Sequence, residues 1–176
     1  KKISDLLFGI FFEDINYAAD GGLYAELVQN RSFEYSPEDT GGRDSTWNAL
    51  KSWKLVKTDV AEASLQISGK EPLHANNPHY AVLTVTRPGS GAGISNEGFD
   101  GIVVRKGEKY RFSVFAKSLS EKKDVLKVRI VDSYGNPLAE AQTGRLSLNW
   151  KKYAQDLVSN ADDNSARLEI LMENKG

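Results

Sequence analysis

The sequence predicts a mainly β protein, folded as an antiparallel jelly-roll β-sandwich. Three observations support this fold class. Several segments alternate apolar and polar side chains, turn-forming residues separate them at nearly regular spacing, and no long helical pattern lies between them. The alternation is clearest in residues 109–117, where Tyr110, Phe112 and Val114 share one face. A strand of this kind buries one face and leaves the other in water.

The chain begins with a strand of a different type. Residues 6–12 are apolar at every position except Gly9, so they lack the alternation of a strand with one wet face. Such a run is typical of a strand covered on both sides, as in the parallel sheet of an α/β protein. It ends at two acidic residues, Glu13 and Asp14.

A short helix is predicted next, over residues 23–29. Leu23 and Leu27 are four positions apart and therefore lie on the same side of such a helix. A helix of two turns is only marginally stable in water, so we expect it to dock on another surface.

Alternating segments fill the chain from about residue 53 onward. The strongest occupy residues 109–117, 124–132 and 166–173, and weaker ones occupy residues 63–68, 80–87, 101–106 and 150–158. Turn chemistry separates them at residues 87–91, 106–108 and 134–137. Arg111 and Lys127 are expected to face outward. The side chains predicted to face inward are Tyr110, Phe112, Leu126, Val128, Ile130, Leu168 and Ile170.

The apolar strand at residues 6–12 has no parallel neighbour in this sequence, because no second strand–helix–strand unit follows it. We therefore expect its neighbours to lie beyond Gly176, which arrives directly after an alternating strand. The pattern predicts an N-terminal fragment of a larger enzyme, in which a sandwich interrupts a β/α architecture just after its first strand.

The amino-acid composition limits the kinds of partner that we expect for this chain. The 176 residues include 23 basic and 24 acidic side chains, a balance that favours neither nucleic acid nor an anionic membrane as a partner. The longest apolar run is far shorter than the roughly 20 residues that span a bilayer. There is no cysteine, which excludes disulfides and thiolate sites. The chain starts at Lys1, so either a leader has been removed or the chain is a cut piece.

The N-terminal stretch carries a family resemblance. Residues 7–34, LFGIFFEDINYAADGGLYAELVQNRSFE, closely resemble the start of the longer α-L-arabinofuranosidases of glycoside hydrolase family 51. The rest resembles the carbohydrate-binding-module-like sandwich that follows in those enzymes, a galactose-binding-domain-like fold. That second resemblance rests on Trp53, Asn77-Pro78, NEGFDGIVVRKGEKYRFSVFAKS (residues 96–118) and WKKYAQDL (residues 150–157).

The resemblance implies a division of the chain and an activity for its parent. Residues 1–30 would be the first strand and short helix of a TIM barrel, and residues 31–176 a sandwich lacking its last strand. The parent enzyme would release terminal α-L-arabinofuranosyl residues from arabinan or arabinoxylan with retention of configuration. Its acid/base and nucleophile, two glutamates, would lie beyond this chain, which would be inactive alone. No cofactor is implied, and a polysaccharide substrate implies a secreted or periplasmic enzyme.

Glu13 and Asn16 are the candidate substrate-binding residues. The resemblance matches Glu13 to the family glutamate that hydrogen-bonds the arabinofuranose ring. Asn16 either touches sugar or shapes the loop with Gly21 and Gly22. Adjacent residues of a strand point to opposite faces, so Glu13 and Asp14 are not the pair of carboxylates that flanks a glycosidic bond. We also expect self-association through residues 6–13 if they lack their parallel neighbours.

Two other polar groups resemble catalytic or metal motifs. The Asn96-Glu97 pair is similar to the acid/base signature of barrel glycosidases, but its place in the sandwich predicts a structural role. His74 and His79 lie in a loop without a carboxylate or third histidine at metal-ligand spacing, so we expect no metal site there. A structural calcium near Glu34 has no dense oxygen-ligand loop to support it.

Sugar binding by the sandwich requires exposed aromatic rings with polar groups around them. The candidates are Tyr35, Trp47, Asn76, His79 and Tyr134. The alternative is that Tyr35 and Trp47 only cover the sandwich or face the barrel. In that alternative the core aromatic residues are Trp53, Tyr110, Phe112 and Trp150.

Overall fold

The computed structural model describes residues 26–58, 60–119 and 124–173. Within these ranges the chain forms ten β-strands, and its one named helical element is a 3₁₀ turn at Pro37–Thr40. The strands are β1 (Trp53–Lys57), β2 (Glu62–Ser68), β3 (Tyr80–Arg87), β4 (Ala92–Asn96), β5 (Ile102–Val104), β6 (Lys109–Ala116), β7 (Lys127–Val131), β8 (Pro137–Gln142), β9 (Lys151–Val158) and β10 (Asp163–Met172). Within the described ranges, no helix has the length and apolar character needed to cross a membrane.

The strands form an antiparallel sandwich. One sheet has the order β1-β4-β10-β7-β8, with β5 pairing to β10 as well. Two antiparallel ladders, β2–β3 and β6–β9, pair separately from this sheet. The chain passes repeatedly between the large sheet and the ladders, so strands that are close in sequence are often not hydrogen-bonded neighbours. The predicted mainly β, antiparallel fold class is confirmed.

The hydrophobic core receives side chains from the large sheet and from both ladders. Val128, Ile130 and Leu168 of the large sheet are buried together with Val85 of β3 and Leu157 of β9. The predicted inward residues Leu126 and Ile170 are also buried, and Tyr110 and Phe112 pack partly buried against the same cluster. Glu169 and Leu171, on the other side of β10, are buried as well, so β10 is not the half-buried strand that its alternation predicted. The inward register predicted for β6, β7 and β10 is confirmed. It places the opposite side of β6 in solvent.

The structure also contains strands that the alternation did not predict. All five residues of β4 are buried: β4 is an inner strand between β1 and β10, it is also contacted by β2 and β3, and its Asn96 bonds to the Gln29 carbonyl. A strand with two covered faces does not alternate, and Gly93, the second residue of β4, weakens the strand signal further. Two further strands were not predicted. The strand β1 is short and shows little alternation, and β8 begins with Pro137, which is unusual within a strand.

The predicted helix at residues 23–29 is wrong in its described part. Residues 26–28 have no regular secondary structure, and residues 29 and 30 form a turn. Its few residues carry too little intrinsic helicity to override the contacts of this segment with the sandwich. The first residues of that helix and the predicted strand at residues 6–12 lie outside the described residues.

The large sheet carries ion pairs along β7 and β10. Glu169 is buried and accepts hydrogen bonds from Arg129 at 2.5 Å and from Arg167 at 3.1 Å. On β7, the Lys127 ammonium pairs with Glu140 at 3.2 Å and with Glu173 at 3.4 Å. The hydrogen bond to Glu140 raises the pKa of Lys127, against the opposing effect of burial. These charges are matched within the sheet itself.

Candidate functional site

The outward side of the β6–β9 ladder is the candidate site. Side chains of β6 alternate between half-buried and exposed positions, and Arg111, Ser113 and Phe115 lie at the exposed ones. Phe115 is 49% exposed although it is a large aromatic residue. On β9, Tyr153 and Leu157 are buried, whereas the residues between them alternate toward solvent. The ladder thus presents an aromatic ring outside the core.

Two further aromatic rings meet at one end of this ladder. Trp150 precedes β9 and Tyr80 begins β3, and their ring centroids are 5.0 Å apart with planes at 84°. Neither ring belongs to the hydrophobic core. The Tyr80 hydroxyl donates to the Lys70 carbonyl at 2.6 Å, and Trp150 Nε1 donates to the Glu71 carbonyl at 3.1 Å. Both rings are therefore held by the loop between β2 and β3.

A lysine lies over each of the rings that the ladder contributes. Lys117 Nζ is 5.1 Å from the centre of the Trp150 ring, and Lys152 Nζ is 5.8 Å from the centre of the Phe115 ring. The register explains the second contact, because Phe115 and Lys152 are opposite each other in the ladder. We call the surface formed by Tyr80, Phe115, Trp150, Lys117, Lys152 and Arg111 the aromatic face.

The aromatic face is long and shallow. The pairing of Ala116 with Lys151 places Trp150 level with Lys117, six residues from Arg111. Two residues of an antiparallel strand advance about 6.8 Å, so the face extends over roughly 20 Å from Trp150 to Arg111. At the Arg111 end, a depression of about 430 Å³ is lined by Arg111, Ala154, Gln155 and Asp156. Aromatic rings with charged groups beside them form a surface suited to the alternating apolar and hydroxylated sides of a sugar.

Sequence reasoning missed most of the aromatic face. The period of two in residues 109–117 did contain the signal, because it places Phe115 on the same side as Arg111 and Ser113. Trp150 was expected in the core under the structural alternative, and the structure places it outside. Trp53, in contrast, is buried in the core as expected.

Two of the predicted sugar-binding residues lie against each other. The rings of Tyr35 and Trp47 stack at a centroid distance of 4.8 Å with an angle of 7° between their planes. Lys51 Nζ lies 5.2 Å from the centre of the Trp47 ring. Each ring therefore uses one face for the other. This arrangement resembles a cover of the loop more than an open platform.

His79 is engaged by a carboxylate. Its Nδ1 is 2.5 Å from Glu34 Oε2, and its backbone N–H donates to Glu34 Oε1 at 2.8 Å. The side-chain amide of Asn77 donates to the same carboxylate at 3.1 Å. Asn76 is exposed beside them, and its N–H donates to His74 Nδ1. This group ties residue 34 to the loop before β3.

The remaining predicted residues lie elsewhere. Tyr134 is 90% exposed in the turn between β7 and β8. Asn96 is fully buried at the end of β4, where its amide donates to the Gln29 carbonyl and its Oδ1 accepts from Gly98. Glu97 is exposed and pairs with Lys54. The Asn96 side chain is therefore bonded within the fold, and Glu97 forms an ion pair at the surface.

Glu13 and Asn16 lie outside the described residues. Among the residues that are described, no three histidine, aspartate or glutamate side chains are grouped as a metal site would require.

Comparisons with known proteins agree with the sandwich fold. Residues 25–176 match the family model of a carbohydrate binding domain. Over 96% of its length, the chain is 38% identical to an extracellular exo-α-L-arabinofuranosidase of Streptomyces chartreusis, covering 18% of that protein. It is 30% identical over 100% of its length to α-L-arabinofuranosidase 1 of Arabidopsis thaliana, covering 26% of that protein.

A solved structure gives the same result. An arabinose-bound α-L-arabinofuranosidase of glycoside hydrolase family 51 matches with a TM-score of 0.71 and 27% identity, over 92% of this chain and 25% of that one. The resemblance predicted from the N-terminal stretch and the sandwich motifs is confirmed. The chain spans about a fifth to a quarter of the length of these relatives.

Proposed function

Because this chain belongs to the carbohydrate binding domain family over residues 25–176, we propose that it binds carbohydrate through the aromatic face. The exposure of Phe115, on a strand whose other large apolar side chains pack on the core, carries this proposal. An exposed aromatic ring gains free energy when a ligand covers it. The pyranose or furanose ring of a polysaccharide has C–H groups that can cover it.

The rings at the Trp150 end support the same function. Hydrogen bonds to the carbonyls of Lys70 and Glu71 hold Tyr80 and Trp150 in place before any ligand binds. A ligand therefore loses less free energy to ordering these side chains than it would on a mobile surface.

Calorimetric titration of the 176-residue chain with arabinoxylan and arabinan oligosaccharides tests the proposal. Replacing Phe115 with Ala should weaken binding about tenfold, the loss expected for one aromatic contact. Trp150→Ala should act in the same direction. Tyr134→Ala is the matched control, because that ring is also exposed but lies in the turn between β7 and β8. Equal weakening by all three changes, or none, would contradict the assignment to this face.

A purely structural sandwich that braces a barrel is the second candidate. It is favoured by the engagement of Tyr35, Trp47 and His79 in contacts within the chain. Such a sandwich has no affinity for oligosaccharides, so the same titration separates the two functions. In this case the Phe115→Ala chain and the unchanged chain would both give no heat of binding.

For the parent protein we propose a retaining α-L-arabinofuranosidase that acts on arabinan or arabinoxylan. The names of the relatives and the small share of them that this chain covers support this. In this proposal residues 1–30 belong to a barrel, Glu13 and Asn16 contact the substrate, and two catalytic glutamates lie elsewhere in the enzyme. A secreted or periplasmic location is proposed because the Streptomyces relative is named extracellular.

A further inference from the structure

The aromatic face concentrates positive charge on a chain whose net charge is −1. The outward positions of β6 and β9, with the residues directly beyond their paired ends, carry four cations: Lys109, Arg111, Lys117 and Lys152. Asp156 is the single carboxylate among those positions. The outward positions of the β2–β3 ladder are mostly neutral by comparison, with Ser64 and Gln66 opposite Thr84 and Val82.

Two of the four cations are matched by carboxylates of the chain. Lys109 Nζ is 3.2 Å from Asp156 Oδ2. Asp156 lies opposite Arg111 in the ladder, but its carboxylate pairs with Lys109. Lys117 Nζ is 3.7 Å from Glu71 Oε2, and its side chain is only 12% exposed.

The other two cations are not matched. Within the described ranges, neither Arg111 nor Lys152 forms an ion pair, and Lys152 only lies over the Phe115 ring. Arg111 is exposed, so its planar guanidinium faces solvent.

Arg111 forms one wall of the depression at the end of the aromatic face. Ala154, with its small side chain, leaves the space of about 430 Å³ open between Arg111, Gln155 and Asp156. Arg111 and Asp156 lie opposite each other in the ladder, so a guanidinium and a carboxylate flank one shallow site, whereas Gln155 pairs with the core-facing Phe112. The guanidinium suits a carboxylate of the ligand, because it can donate two parallel hydrogen bonds to it. The Asp156 carboxylate suits sugar hydroxyls.

We propose, on the basis of the carbohydrate-binding function above, that this depression receives the carboxylate of a uronic acid unit, so that the face prefers polysaccharides bearing uronic acids over neutral ones. Arg111 binds the uronate, and Lys152 adds positive potential beside Phe115. Four residues along a strand span about 13 Å, so the sugar over Phe115 and the uronate at Arg111 belong to different units of one ligand.

A pair of ligands that differ in a single group tests this preference. One is a glucuronic-acid-substituted xylo-oligosaccharide, and the other is the same oligosaccharide after reduction of its carboxyl group to the alcohol. Calorimetry with the full chain should show binding of the uronate that is roughly tenfold tighter or more, as expected for hydrogen bonds to a charged group. Raising the salt concentration should weaken only the uronate complex.

Variants at Arg111 assign the preference to the depression. Arg111→Gln should remove the difference in affinity between the uronate and the reduced ligand, so that the ratio of the two affinities falls to about one. Arg111→Lys should keep part of the preference, because it retains charge but not the paired hydrogen bonds. Arg87→Gln is the control, since Arg87 is an exposed cation that ends β3 and pairs with Glu62. Circular dichroism confirms that each variant is folded.

The outcomes separate this inference from the proposed function. If the two ligands bind with equal affinity and Phe115→Ala abolishes the binding of both, the uronate preference is overturned and carbohydrate binding stands. A preference that survives Arg111→Gln would overturn the depression as its site. Binding of neither ligand would overturn the carbohydrate-binding function and this inference with it.

Discussion

Trp53 and Asn30 are joined by a buried hydrogen bond, in which indole Nε1 donates to the Asn30 carbonyl at 2.9 Å. The Asn30 side chain in turn donates to the carbonyls of Ala49 at 3.0 Å and Lys51 at 3.1 Å. Asn30 has a φ of 53°, a left-handed conformation that asparagine tolerates better than most residues. It fastens the segment before the sandwich to the loop that leads into β1.

The first prediction concerns this fastening. The division of the chain at residue 30 stays a prediction, but Asn30 makes its contacts with the sandwich. A chain that starts at residue 26 keeps these bonds, whereas one that starts at residue 31 loses them and leaves Trp53 Nε1 without its partner. We expect the shorter chain to have a clearly lower Tm in thermal unfolding followed by circular dichroism, since a buried unsatisfied donor costs about 1–3 kcal/mol.

Light scattering on the same two truncated chains tests the expected self-association through residues 6–13. Both should be more strictly monomeric than the full chain, because both lack that apolar run. If the chain that starts at residue 31 is as stable as the one that starts at residue 26, the contacts of Asn30 are not important for the sandwich.

The second prediction tests the strand register. Ile130→Ala should lower the free energy of unfolding by about 2–5 kcal/mol, because Ile130 is 4% exposed in the core. Arg111→Ala should change the free energy of unfolding by less than about 0.5 kcal/mol, because Arg111 is exposed. Asp156, which lies opposite it, forms its ion pair with Lys109. Denaturant unfolding measures both. Similar losses for the two variants would mean that the register is shifted by one residue.

The third prediction concerns the buried carboxylate of Glu169. Replacing it with Ala leaves Arg129 and Arg167 without their shared partner in a covered position, and we expect a loss of about 3 kcal/mol. The matched control is Glu140→Ala on neighbouring β8, an exposed partner of Lys127, for which about 0–1 kcal/mol is expected. A double-mutant cycle with Arg129 measures the coupling directly. No coupling between Glu169 and Arg129 would refute the account.

The fourth prediction is a dependence on pH at the turn after β7. The side-chain amide of Asn136 donates a hydrogen bond to the Asp132 carboxylate, and this bond is the main cause that lowers the pKa of Asp132 below the ordinary value of 3.8. The backbone N–H groups of Asn136 and Tyr134 donate to the same carboxylate and contribute less. A lowered carboxyl pKa stabilises the fold above the ordinary value, and that stabilisation is lost as the pH falls through the folded value. The Tm difference between the unchanged chain and Asp132→Ala should therefore be larger at pH 7 than at pH 2. A constant difference would contradict this.

The fifth prediction concerns activity. The isolated chain should not hydrolyse a chromogenic α-L-arabinofuranoside, because retention requires an acid/base and a nucleophile and the proposal places both elsewhere. Turnover is measured with the purified chain and with Glu13→Ala as the control for contaminating enzyme. Turnover by the unchanged chain that Glu13→Ala abolishes would show that the chain holds a catalytic centre of its own.

Much of the sandwich was predictable because half-buried strands record their two environments in alternate residues. The predicted segments 80–87 and 109–117 correspond to β3 and β6 within one residue at either end. The same principle failed for β4, where both faces are covered and nothing alternates. It also failed for residues 26–29, whose conformation follows from contacts with residues far along the chain, such as the bond from Asn96 to the Gln29 carbonyl.

The sequence by itself determined the antiparallel fold class, the side of β6 that faces water and the resemblance to a family of glycosidases. Only the tertiary structure decided which aromatic residues stand outside the core. Trp150 lies at the end of a strand, where alternation no longer dictates its side. Its indole is held by the Glu71 carbonyl, 79 positions earlier in the chain. The unmatched charge of Arg111 is also a tertiary property, because it depends on Lys109 taking the carboxylate that the register places opposite Arg111.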